Sequence, residues 1–210
     1  MGAVYARSTM FDAKADSIDV GIAFCRDEVM PQLTATPGCV GFSLVVDRAS
    51  GRCIATSSWD AQDSMRASAA SVAPIRARGV EAFSSGEPEV QEWDIGLLHR
   101  NHQTSQGSCA RLVWVRGSAS AQDRMLDTIK LVTLPQLDQL EGFCSMSVMF
   151  DRASGLCCVT TSYDDQRTLE ASRDKAKGFR ETVVGETGQE IFRVDECEIA
   201  IAHLHVPETV

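Results

Sequence analysis

Basic charge, aromatic rings and long apolar runs are all scarce in this chain. Its 210 residues include 20 Lys or Arg against 29 Asp or Glu, for a formal net charge of −9. A net anionic surface repels phosphate backbones and acidic lipid, so neither nucleic acid nor a membrane surface is expected as a partner. No apolar stretch approaches the roughly 20 residues that a membrane span needs. The opening run MGAVYARSTMFDAKADS lacks the apolar core of a secretory signal. These absences together predict a soluble cytoplasmic protein. G-x-S-x-G, HExxH and P-loop motifs are missing too, and GETG at Gly185–Gly188 lacks the strand-to-helix setting of a phosphate loop.

Cysteine, by contrast, is plentiful: Cys25, Cys39, Cys53, Cys109, Cys144, Cys157, Cys158 and Cys197. No CxxC occurs and no His stands at zinc-ligand spacing from a Cys pair. Several interrupt apolar runs, as in GLCCVTT, and read as small buried hydrophobes in a reducing compartment. A disulfide framework is not expected in a chain long enough to build its own core.

The chain is written twice. An ungapped shift of about 104 residues aligns the halves, with roughly 27 of about 96 pairs identical. GCVGFSLVVDRASGRCIATSSWDAQDSMRAS, from Gly38 to Ser68, matches GFCSMSVMFDRASGLCCVTTSYDDQRTLEAS, from Gly142 to Ser172. Pro31-Gln32-Leu33 meets Pro135-Gln136-Leu137, Arg7 meets Arg111, and His99 meets His203. Two copies are too few for a solenoid, so the expectation is a duplicated domain: residues 1–103 and 104–210, joined by the polar stretch Arg100–Ser108.

Both copies must obey one reading. Val4–Phe11 and Cys109–Val115 are β-prone. Ile18, Ile22, Cys25, Val29 and Leu33 then recur at helical spacing, answered by Leu126, Ile129, Thr133 and Leu137. Pro31 and Pro135 should bend or tighten the last turn. Val40–Asp47 and Arg52–Trp59 alternate around DRASG, whose glycine suits a hairpin. A second helix is predicted to open at Asp60, or Asp164 in the copy. It runs through Met65, Ala69 and Val72, and through Leu169, Ser172 and Ala176. A final strand alternates Trp93, Ile95, Leu97 and His99 against Glu92 and Asp94, and Cys197, Ile199, Ile201 and His203 against Glu196 and Glu198. The glutamates read as a solvated face. Each half is thus βαββαβ, the ferredoxin-like arrangement. Its strands are apolar on both sides, so the predicted class is α+β, with the two sheets closing an intrachain barrel and the helices outside.

These residues resemble the antibiotic biosynthesis monooxygenase family of dimeric α+β barrels. The likeness rests on Pro31, the turn Pro37-Gly38-Cys39-Val40-Gly41, Asp47-Arg48 with Gly51, and Trp59 closing the third strand. It spans most of both halves and implies fold more than activity. It further implies a ligand site between sheet and helices, with Trp59 at the family's pocket position and Tyr163 in its place in the copy. Members include enzymes that oxidise polycyclic aromatics with oxygen and no metal or flavin, and haem-degrading enzymes. The axial His of the latter is missing: Ala69, Ala70 and Ser71 stand near that place, and Arg173, Asp174 and Lys175 in the copy. Their first-strand Asn is missing too, with Arg7 and Arg111 in that strand instead. Haem chemistry is therefore not expected.

Six residues are candidates for a site, and each has a packing reading beside the functional one. Trp59 and Tyr163 either fill the core or stack on a flat ligand. Arg7 and Arg111 either form ion pairs or stabilise an anion formed before attack on oxygen. His99 and His203 either pack or remove a phenolic proton. His102 and His205 add nothing at metal spacing, so neither metal nor cofactor is expected. The implied function is a cofactor-independent monooxygenase acting on a small hydrophobic, aromatic or polyketide-like molecule. The alternatives are a non-catalytic binding or stress-related protein, and a proton-transferring isomerase or lyase. Further homodimerisation of the pseudo-dimeric chain stays open.

Overall fold

Residues 4–204 and residue 208 are described in the computed structural model of the chain. The first half contains β1 (Tyr5–Asp12), α1 (Ile18–Phe24), α2 (Met30–Thr34), β2 (Cys39–Val46), β3 (Arg52–Trp59), α3 (Gln62–Ala67), α4 (Ala69–Ala82) and β4 (Glu89–Arg100). The second repeats the order: β5 (Cys109–Arg116), α5 (Ala119–Thr128), α6 (Leu134–Leu137), β6 (Phe143–Asp151), β7 (Leu156–Tyr163), α7 (Gln166–Ala171), α8 (Arg173–Thr187) and β8 (Glu190–Leu204). The strands are hydrogen-bonded in the order β1-β3-β2-β8-β5-β7-β6-β4 as a closed barrel. This is the α+β architecture of paired ferredoxin-like repeats.

Two compact units share the chain. One runs up to Trp93 and adds the stretch from Glu198; the other runs from Asp94 to Cys197. Both long strands therefore begin in one unit and end in the other. In each unit the helices cover one face of the strands. In the first, Phe42, Leu44 and Val46 pack with Ile18, Ile22, Val29 and Val80. In the second, Met146, Val148 and Phe150 pack with Met125, Ile129 and Val183. The opposite face is more polar. Trp93 donates its indole N–H to Ser8 Oγ at 3.0 Å, and Trp114 donates to the buried carboxylate of Asp195 at 2.7 Å.

Four local expectations change. The prolines do not tighten the first helix; the turn before each is widened. Cys25–Val29 and Ile129–Thr133 are π-helical turns joining α1 to α2 and α5 to α6. Proline lacks an N–H and its ring collides with the carbonyl four residues back, so the turn before Pro31 and before Pro135 opens. The second helix starts later than Asp60 and Asp164, because those residues are still tied to the preceding turn. Asp60 N–H donates to Gly38 O at 2.9 Å and Asp164 N–H to Gly142 O at 2.8 Å. The N-caps are Ala61 and Asp165.

The alternation in the last strands breaks as well. Pairing with β6 jumps from Ile95↔Met149 to Leu97↔Val148, and pairing with β2 from Leu44↔Ile201 to Val45↔Ile199. Gly96 and Ala200 are therefore bulges, and a bulge switches which side chains share a face. Glu92 and Glu196 consequently do not belong to a solvated face; both turn toward buried arginines. The DRASG hairpins behave as read. Gly51 and Gly155 have φ of 80° and 75°. A Cβ on either would sit 2.4 Å from the carbonyl of Ala13 or Gly117.

Candidate functional site

Arg7 and Arg111 lie mid-strand on β1 and β5, opposite Ser57 and Thr161. They are almost wholly buried, at 5% and 2% exposure. Two things hold such a cation in an apolar layer. One is the break between the two pieces of the second helix at Ser68 and Ser172, which leaves a carbonyl without a helical donor. Arg7 Nη2 donates to Met65 O at 2.8 Å, and Arg111 Nη2 to Leu169 O at 2.9 Å. The other is the glutamate of the last strand: Glu92 Oε1 lies 2.8 Å from Arg7 Nη2, and Glu196 Oε1 2.8 Å from Arg111 Nη2. Burial by itself would raise the Glu196 pKa, but hydrogen bonds from Arg173 and Arg111 outweigh it and hold the carboxyl below its ordinary value.

The halves differ at one atom. Arg111 Nη1 donates to Ser172 Oγ at 2.9 Å and to the Tyr163 hydroxyl at 3.4 Å. Trp59 replaces that phenol in the first half, and Arg7 Nη1 is left buried with no hydrogen-bond partner. The Trp59 ring is fully buried in the core, and its N–H donates to Ser57 Oγ at 3.0 Å.

Each half has a cavity between its sheet and its helices. The one in the second half measures about 60 Å³ and is walled by Arg111, Tyr163, Met125, Ile129, Phe179 and Arg180 among others. The one in the first half measures about 40 Å³ and is bordered by Arg7, Cys25, Phe42, Ser57, Arg76 and Val80 among others. The π-helical turns contribute directly: Cys25 and Val29 line the first cavity, Ile129 and Thr133 the second. Such widened turns recur at functional sites in proteins generally.

The structure therefore brings Arg111 and Tyr163 together on one cavity wall and places Arg7 on the other, without Trp59. The histidines are elsewhere. His99 Nε2 is hydrogen-bonded to Asp138 Oδ1 at 2.7 Å, and His203 stands opposite Phe42 on β8. Among the described residues no imidazole lines either cavity.

Two cavity residues escaped the sequence reading, Arg76 and Arg180, both half-buried on the second helix. The signal was available, since the same 104-residue offset pairs them as one of the identities. Burial, then the charge of Arg7 or Arg111, pulls their pKa values down. Among the described residues, the side chains that could hold a metal are His102, Cys144 and Asp164, whose ligand atoms lie within 4.8 Å of one another. His102 Nε2 and Asp164 Oδ1 are 2.8 Å apart, and the Cys144 thiol donates to Asp164 at 3.4 Å. Burial and the neighbouring carboxylate push that thiol up to about 12. Chain spacing could not reveal the group, because the fold alone assembles it.

No protein-family model matches the chain. It is 46% identical over 209 residues to the Mycobacterium tuberculosis protein Rv2557, covering 99% of this chain and 92% of that one. It is 47% identical over 208 residues to Rv2558 of the same organism, covering 99% and 88%. Among solved structures, it is similar to a candidate monooxygenase from Fusobacterium nucleatum, with a TM-score of 0.72 at 14% identity and coverage of 97% and 95%. An anthrone oxidase-like protein gives 0.68 at 12% identity, covering 99% and 94%. A ferredoxin-fold protein from Listeria monocytogenes, related to antibiotic biosynthesis monooxygenases, gives 0.54 at 10% identity, covering 95% of each chain. At such identities the likeness establishes the shared fold alone.

Proposed function

The chain belongs to the same family as the mycobacterial proteins Rv2557 and Rv2558, and we propose that it oxidises a small apolar molecule with oxygen, without a cofactor, in the cavity of its second half. The observation that carries this reading is the Tyr163 hydroxyl on the wall of a mainly apolar cavity, held in place by Arg111 Nη1 at 3.4 Å. A hydroxyl donor fixed in a desolvated pocket favours a carbonyl or enolate oxygen, because it needs no reorganisation when charge develops there. An activated CH2 group would be converted to C=O, with one atom of O2 entering the product and the other leaving as water. The fold shared with monooxygenase-like proteins supports the assignment.

The second reading is a binding protein without turnover. It is favoured by the cavity's lining, in which no histidine or carboxylate stands ready to take a proton. Oxygen-electrode measurements in chelator-treated buffer with a small activated-methylene compound, acetylacetone, separate the two. An oxygenase consumes oxygen in proportion to product, and Y163F lowers the rate at least tenfold while its melting temperature stays close to the parent's. Saturable quenching of tryptophan fluorescence with no oxygen uptake would leave only the binding reading.

A further inference from the structure

Arg111 and Arg180 both face the second cavity, yet their circumstances are opposite. Every nitrogen of the Arg111 guanidinium donates to the protein: Nε and Nη2 to Glu196, Nη2 also to Leu169 O, and Nη1 to Ser172 and Tyr163. It has no donor left for a ligand. Arg180 lines the same cavity, and its Nη1 is buried with no partner. Among the described residues, neither carboxylate that acts on it is its ion-pair partner: Glu196 is shared by Arg111 and Arg173, the latter at 2.6 Å, and Glu181 lies 3.9 Å from Lys177. Two cations already divide the Glu196 anion, and the charge of Arg180 is left over.

Leaving a guanidinium N–H unpaired in a desolvated place costs more than leaving any neutral donor so. An acceptor carrying negative charge is the group that relieves it best, through a charge-assisted hydrogen bond. Much of the rest of the lining is apolar, including Met125, Ile129, Val183 and Val184. A volume of about 60 Å³ holds on the order of two water-sized groups, so the body of a ligand there is a few carbon atoms. Phe179 and Thr133 border both this cavity and an outer groove of about 470 Å³ that also includes Val132 and Lys175. Phe179 and Thr133 are thus shared by the walls of the cavity and the groove.

We propose that this cavity selects a monocarboxylate with a short apolar body, the carboxylate taken by Arg180 and the carbon chain by Met125, Ile129 and Val183. The inference rests on the same cavity being the ligand site and adds the chemical class of what it admits. The first half provides the internal comparison. Its Arg76 occupies the repeat-equivalent position, but the cavity is smaller, at about 40 Å³, and is lined in part by Thr9 and Ser57.

The test uses the full-length protein, butyrate, and its uncharged counterpart butyramide, with binding followed by NMR titration. Butyrate is expected to bind at least tenfold more tightly than butyramide, with NOEs from its methyl group to the side chains of Ile129 and Val183. R180Q removes that preference, whereas R76Q leaves it intact. The NOEs locate the ligand even if R180Q folds poorly. Equal binding of butyrate and butyramide would overturn the carboxylate inference while leaving the cavity as the ligand site. Acetate or chloride matching butyrate, or R180Q retaining the preference, would also overturn it. Binding of neither probe would remove both this inference and the choice of cavity. Butyrate binding without oxygen uptake by any substrate would overturn the oxygenase reading alone.

Discussion

Arg111 is a cation whose surroundings are built to keep it buried, and its neighbours define what it can do. With all its donors committed, its role is to fix Tyr163, Leu169 and Glu196 in place rather than to meet a ligand. Removing one partner of a buried pair leaves uncompensated polar groups and typically costs on the order of 3 kcal/mol. R111M should therefore lower stability by about that amount in urea unfolding, well beyond the effect of R180Q, which breaks no ion pair among the described residues. Glu196 gives this network a pH signature. Its pKa is depressed in the folded chain, so its stabilisation is complete above the unfolded-state value of about 4.3. That stabilisation is lost as pH falls through the lower folded value. The urea midpoint of the parent should fall more steeply below about pH 4.3 than that of E196Q, measured over the same range.

The thiols carry the opposite sign. Burial pushes Cys25, Cys53 and Cys144 up to about 12. In the unfolded chain they ionise near about 8.5. Their contribution is whole below that pH and declines as pH rises toward the folded values, because the unfolded state then loses protons that the native state keeps. Unfolding at pH 7 and pH 10 should show a clear loss at the higher pH. Replacing Cys25 and Cys53 together with Ala should shrink the pH-dependent part of that loss.

At the level of elements, the duplicated sequence permits a comparison within one molecule. Asp165 caps α7 through a reciprocal box with Thr168, its carboxylate accepting from Thr168 N–H at 2.8 Å. Ala61 occupies the same position before α3, with extended φ and ψ but no side-chain acceptor. A61D should raise stability by about 0.5–1 kcal/mol and D165A should lower it by about 1 kcal/mol, both read from urea midpoints. These caps also show where the sequence was legible. The β3 strand falls on Arg52–Trp59, as its alternation and the DRASG turn require. The helix start was missed by a residue, because a backbone bond from Asp60 to Gly38 decided it and composition does not encode that bond. The bulges at Gly96 and Ala200 were hidden for a similar reason. One extra residue in a strand leaves the apolar pattern nearly intact while reversing which side chains face the helices.

For the molecule as a whole, the duplication and the unit boundaries follow different logics. The first repeat holds β1, β2 and β3, yet β2 pairs with Glu198–Leu204 of β8, from Val46↔Glu198 to Gly41↔Leu204. Residues 1–103 alone would leave the β2 edge bare, while the second part of their own β4 is the repeat equivalent of the missing segment. Expressed alone, this fragment should form a homodimer in which β4 of each copy pairs with β2 of the other. Light scattering coupled to size exclusion should give twice the fragment mass, and a stable monomer would count against the prediction.

The amino-acid order by itself determined the repeat, the βαββαβ succession, the hairpin glycines and the candidate arginines on β1 and β5, since each rests on local periodicity or on direct comparison of the two halves. The tertiary structure alone decided which cation is committed and which is left over. That distinction depends on whether Glu92 and Glu196 reach the buried guanidiniums, which the bulged strands govern. Tertiary structure also decided that the histidines stand apart from the cavities and that Tyr163 lines one while Trp59 fills the core. Volume and unpaired charge arise where elements distant in sequence pack together, and no single stretch of chain holds that information.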